Sequence, residues 1–84
     1  MSVEDLKKAI KEEKLTFGAE ETIRKLKLGK IKTVFIAKDC KASYKDRILD
    51  YKKQGNIKVL ELDISESEIG TLCKKQFSIS MLSY

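Results

Sequence analysis

Histidine and proline are absent from this 84-residue chain, and cysteine occurs only twice. Without an imidazole, a Cys–His nucleophile pair is excluded. Cys40 and Cys73 lie far apart, with no second pair and no histidine to complete a zinc site. They read as reduced, partly buried thiols in a reducing compartment. The long Ser/Gly/Pro stretches of a disordered chain are missing. No apolar run approaches the length of a membrane span, and no signal-peptide pattern opens the chain. These absences predict a soluble, cytoplasmic protein without membrane contact. Lysines and carboxylates are plentiful, but no constellation of them stands out as acid and base. The expectation is a protein that is not an enzyme and needs no metal or cofactor.

What is present suits one small domain spanning residues 1–84. Apolar residues make up 42% of the chain, ordinary for a globular fold at the size where a single core is just sufficient. The 18 basic residues exceed the 13 acidic ones, giving a net charge of +5. Their distribution says more than their sum. Arg24, Lys25, Lys27, Lys30 and Lys32 form an acid-free segment, and beyond Glu68 the only charged residues are Lys74 and Lys75. Two such zones could converge on one polyanion, or each could be a solvated surface; charge alone leaves both readings open.

Hydrophobic periodicity orders the chain into alternating helices and strands. Val3, Leu6, Ala9 and Ile10 share one face of a first helix, with Ser2 and Asp5 placed as a capping box. "LTF" at 15–17 predicts a brief strand. Gly18 turns the chain into a second helix with Ala19, Ile23 and Leu26 as its inner stripe, and Gly29 follows its end. "TVFIA" at 33–37 is the β-branched and aromatic run of a strand buried on both faces. Ser43 and Asp46 are expected to cap a third helix, with Tyr44, Ile48, Leu49 and Tyr51 inward and Gly55 at its close. "IKVLEL" at 57–62 is another strand. Ser65 and Glu68 form a capping box before a short helix bearing Ile69, Leu72 and Cys73. "FSISMLS" at 77–83 alternates apolar residues with serine, the pattern of a half-buried strand. The predicted class is α/β: a three-layer α/β/α sandwich, with a small four-stranded mixed sheet and helices on both faces.

Several segments in this order resemble one family. They are "FGAEETIRKLKLGKIKTVFIAKDC" and, later, "SESEIGTLCKKQFSISML". Together they include the glycine opening the second helix, the Gly-Lys-x-Lys lead into the apolar strand, the Ala-x-Asp-Cys loop and the Glu-Ile-Gly-Thr segment. The chain is similar over nearly its whole length to the superfamily of ribosomal proteins L-seven-Ae and L-thirty-e, and its late segment looks closer to the L-thirty-e branch. The resemblance implies a structural protein of the large ribosomal subunit that binds a kink-turn, a sharply bent internal loop of rRNA. It also implies a monomer outside the ribonucleoprotein, with other ribosomal proteins as neighbours. Family members continue past the position of Tyr84, so a contact made by such a tail is expected to be missing.

Carried onto this sequence, the family's contact surface falls at Gly18, Glu20, Glu21, Arg24, Lys38, Asp39, Lys41, the vicinity of Ile64 and Ser65, Lys74, Lys75 and Phe77. Gly18 lets phosphate approach the backbone at a helix start. Arg24 is suited to bidentate phosphate contact, and Lys74 and Lys75 to simple charge contact. Glu21 stands where the L-seven-Ae branch also has glutamate and could accept guanine's N1–H and N2–H₂. Both Glu20 and Glu21 would in any case complement the helix dipole. Glu20 departs from the asparagine or basic residue of relatives, and its charge opposes phosphate. Lys74 replaces a common glycine. Asp39 either meets the RNA or braces its loop through backbone N–H groups. Phe77 either stacks on a base or starts the core face of the last strand. Two other functions fit the same fold: a non-ribosomal kink-turn ribonucleoprotein component, and a protein–protein adaptor that has no use for a shared basic face.

Overall fold

The computed structural model describes residues 3–55 and 57–84. In chain order the elements are α1 (Val3–Glu12), β1 (Thr16–Phe17), α2 (Ala19–Lys27), β2 (Thr33–Ile36), α3 (Ala42–Lys53), β3 (Lys58–Glu61), α4 (Glu66–Leu72) and β4 (Met81–Ser83). The strands form one mixed sheet in the order β1-β4-β2-β3. β4 runs antiparallel to both β1 and β2, with Phe35 opposite Leu82, and β2 pairs in parallel with β3. Among the described residues no helix is long and apolar enough to cross a membrane.

The strand periodicity of two distributes the core over both faces of the sheet. On one face Phe35 and Leu82 meet Leu6 and Ala9 of α1 and Ile69 of α4. On the other, Val34, Ile36 and Met81 meet Ala19, Ile23 and Leu26 of α2 and Ile48 of α3. All four residues of β2 are buried, as the continuous apolar run predicts. The layers are therefore α1/α4, sheet, α2/α3, the expected sandwich. Full burial of side chains such as Leu6, Ile48 and Ile69 stabilises the fold by about 1.5–3 kcal/mol each.

The partial burial expected of the two cysteines is observed. Cys40 packs against the α2/α3 cluster and Cys73 against the α1/α4 cluster, so the sheet separates them and both are free thiols. Burial pushes both thiols above their ordinary range, and the nearby Glu66 and Asp39 add to this for Cys40.

Some local expectations need correction. The N-cap of α3 is Lys41, with no side-chain cap bond, and Ser43 lies inside the helix. The last strand begins at Met81 rather than Phe77, and all three of its residues are buried. The reason is position: β4 lies between β1 and β2, with a helix layer on each face, so it has no solvent side. Ser83 is accommodated there because its hydroxyl pairs with that of Thr22 at 2.9 Å, a fully buried contact between β4 and α2. Lys25, at the border of the α2 stripe, is half-buried, its ammonium donating to Thr16 Oγ1 at 2.9 Å. The capping box of Ser65 and Glu68 is present as predicted. The one proposed with Ser2 lies outside the described residues.

Candidate nucleic-acid interface

Strand direction alone assembles this surface. β1, β2 and β3 run parallel to one another, and β4 runs opposite between the first two. The ends of three strands and the start of the fourth therefore share one edge of the sheet. The start of α2, the β2–α3 loop, the β3–α4 loop and the α4–β4 loop all emerge there. Backbone hydrogen bonds knit them together. Gly18 N–H donates to the Met81 carbonyl at 2.8 Å, Ala37 N–H to Ser80 at 2.9 Å, and Lys38 N–H to Ile64 at 3.0 Å.

Gly18 is the N-cap of α2, with φ 99° and ψ 149°, a conformation that side chains disfavour. Among the described residues, its chain neighbours aside, no atom lies within 4 Å of where its Cβ would be, so the space above it is open to a ligand. In the first turn of α2, Glu20 Oε1 accepts from the Tyr44 hydroxyl at 3.4 Å. Glu21 is held by Arg24: Nη2 donates to Oε2 at 2.7 Å, and Nε to Oε1 at 3.4 Å. The hydrogen bond and charge of Arg24 hold the Glu21 carboxyl below the usual glutamate range, and Glu21 raises Arg24 in return. Each carboxylate oxygen can accept further hydrogen bonds beyond that pair, so Glu21 is oriented without being saturated.

Asp39 is a brace. Its Oδ1 accepts from the N–H of Glu66, the first residue of α4, at 2.9 Å. This fixes the β2–α3 loop against the β3–α4 connection and leaves Lys38 and Lys41 exposed beside it. The edge also carries the acidic side chains of Asp63 and Glu66, so its charge is mixed rather than uniformly basic.

The α4–β4 loop begins with a Schellman motif. Lys74 N–H donates to Thr71 at 3.0 Å and Lys75 N–H to Gly70 at 2.9 Å, with Lys74 in the left-handed region at φ 57°. Lys74 therefore adopts the conformation usually assigned to glycine. The Lys75 ammonium sits 4.9 Å from the ring centroid of Phe17, a cation–π contact reaching the residue before Gly18. Phe77 is 59% exposed, not core, which corrects the alternative that it begins a buried strand face. An exposed phenyl ring is available as a stacking platform.

Lys38, Asp39, Lys41, Lys74, Lys75, Phe77 and Gly18 thus belong to connections at one edge. Glu20 and Glu21 stand in the adjoining helical turn. Arg24 is further along α2, in a groove shared with α3 and lined by Glu20, Ile23, Lys27, Tyr44 and Arg47. Sequence reasoning left out Phe17, Tyr44 and Gly70 as shaping residues. A glycine inside a helical pattern, costly by about 1 kcal/mol against alanine, was the available sign for Gly70.

The chain is similar to known proteins over most of its length. The family model described as "Ribosomal protein L7Ae/L30e/S12e/Gadd45 family" matches residues 2–84. The large ribosomal subunit protein eL30 of Sulfurisphaera tokodaii is 42% identical over 78 residues, covering 93% of this chain and 74% of that protein. The eL30 of Saccharolobus solfataricus is 40% identical over 79 residues, covering 94% and 73%. An RNA-binding protein from Geobacillus is 33% identical over 69 residues, covering 82% and 83%. A solved structure of a Bacillus halodurans protein of unknown function shares the fold, with a TM-score of 0.77 at 19% identity over 93% of this chain and 77% of that one. The chain belongs to the ribosomal protein L7Ae/L30e/S12e/Gadd45 family.

Proposed function

We propose that this chain is an RNA-binding structural component of the large ribosomal subunit, one domain over residues 1–84 that recognises a kink-turn or a related bent internal loop of rRNA. It works in the cytoplasm, as a monomer until assembled, and carries out no catalysis. The observation that carries the reading is the convergence of four connections on one edge, in a chain 42% identical to an eL30 protein. Lys38, Lys41, Lys74 and Lys75 neutralise phosphates crowded at a bend. The open space above Gly18 admits the backbone, Phe77 stacks on a splayed base, and Glu21, aimed by Arg24, accepts from a guanine edge. Asp39 acts through the loop it braces.

Titration against a kink-turn RNA and its fully paired control, at two salt concentrations, tests the proposal. Tight, salt-sensitive binding with preference for the kink-turn is expected. Equal, weak binding to both RNAs would refute it and favour a protein adaptor of the same fold. The Geobacillus relative, described as RNA-binding rather than ribosomal, supports a second reading as a component of another ribonucleoprotein. Co-sedimentation with large ribosomal subunits separates the two.

A further inference from the structure

Two of the 18 basic residues are arginines, Arg24 and Arg47, and both line one groove of about 370 Å³ between α2 and α3. We propose that this groove is a second phosphate site, one that takes the sugar–phosphate backbone of the RNA stem adjoining the bend, with Arg47 as its principal contact. The inference rests on the RNA-binding reading and extends it from the sheet edge onto the α2/α3 layer.

The groove has the composition such a ligand needs. Its charged lining is Arg24, Lys27 and Arg47 against Glu20 alone. The guanidinium fork matches phosphate oxygens bidentately, which lysine cannot do. Glu21 engages two nitrogens of Arg24, and a guanidinium has five N–H donors, so donors remain. Among the described residues Arg47 has no ion-pair partner. The lone carboxylate is tied to the opposite wall by the Tyr44 hydroxyl, at 3.4 Å. Glu20 thus sits in the first turn of α2, where it repels phosphate and turns the backbone towards the arginines.

The groove also continues the proposed interface. α2 and α3 each follow the end of a strand at the same sheet edge and lead away from it together. At 1.5 Å per residue, Arg24 stands about 9 Å beyond Gly18, and Arg47 about 8 Å beyond the start of α3. A stem leaving a bend held at the edge would pass between them.

The test is titration of the wild-type chain, Arg47→Ala and Arg47→Lys with two kink-turn RNAs over a salt series. One RNA keeps a long flanking stem, and the other has that stem trimmed to the bend. Arg47→Ala is expected to weaken binding of the long-stem RNA several-fold and to reduce its salt slope by about one, while leaving the trimmed RNA unaffected. Arg47→Lys should restore the slope but not the full affinity. Wild-type affinity and slope for Arg47→Ala on the long-stem RNA would overturn the groove site while leaving the edge interface standing. An equal loss on both RNAs would also overturn it. Failure of the wild-type chain to prefer either kink-turn over duplex would defeat both readings together.

Discussion

The carbonyl oxygen of Phe77 occupies the space that a Cβ on Gly70 would need. α4 and the loop that follows it therefore touch backbone to backbone, and the close approach seats Phe77 at the rim of the sheet edge. The same loop is tied down at Lys75 by the Phe17 ring and at Ile79 by an N–H bond to the Glu66 carbonyl, at 3.0 Å. A flexible-looking connection is thus held at its start, middle and end.

Gly70→Ala forces either α4 or the loop to move, because the obstructing atom is backbone rather than a side-chain tip. Overpacking of this kind costs about 1–3 kcal/mol. Urea denaturation should register that loss, and RNA affinity should fall with it through displacement of Phe77. An unchanged midpoint would mean that the loop relaxes freely and does not position the ring.

Lys74→Gly separates fold from binding. Glycine adopts the left-handed conformation of residue 74 without the side-chain penalty, so stability should rise by about 0.5–1 kcal/mol. If the Lys74 ammonium meets phosphate, the salt slope of RNA binding should fall by about one in the same variant. Thermal unfolding and a salt titration read the two effects independently.

The buried hydroxyl pair of Thr22 and Ser83 predicts strong non-additivity. Thr22→Val strands the Ser83 hydroxyl without a partner, at a cost of about 1–3 kcal/mol, and Ser83→Ala does the same to Thr22. The double variant should be less destabilised than the sum of the two. Additive losses in a double-mutant cycle would show that the pair contributes little.

Acid should weaken the Glu21–Arg24 pair in a defined direction. The folded-state carboxyl titrates below the ordinary value of 4.5, so its contribution to stability is fully present above that pH and is lost as pH falls through the depressed value. Glu21→Gln should therefore flatten the acid limb of the stability–pH curve and leave the neutral region similarly shaped. An unaltered acid limb would mean that the exposed pair is screened out in solution.

Much of this protein is legible in one dimension. The spacing of Leu6 and Ala9, of Ala19, Ile23 and Leu26, and of Val34, Phe35 and Ile36 specifies elements and their buried faces, because side-chain period follows from backbone geometry. The box of Ser65 and Glu68 and the glycines at 18 and 55 mark element ends by local backbone chemistry, which neighbours in sequence control. The sequence also supplied the chemical inventory of the interface, including the contrast between Glu20 and Glu21.

Tertiary structure decided what depends on partners distant in the chain. Nothing near Ser43 reveals that Lys41 is the N-cap of α3. In sequence Phe77 could either stack on a base or begin the core face of a strand, until the Gly70 contact and the late start of β4 leave its ring in solvent. Ser83 reads as a solvent-facing residue until Thr22 meets it on the other side of the fold. Arg24 and Arg47 are unrelated in sequence and become groove-mates only when α2 and α3 pack on the same face of the sheet. Periodicity reports a residue's own element, whereas burial, pairing and shared surfaces depend on which elements the sheet order brings together.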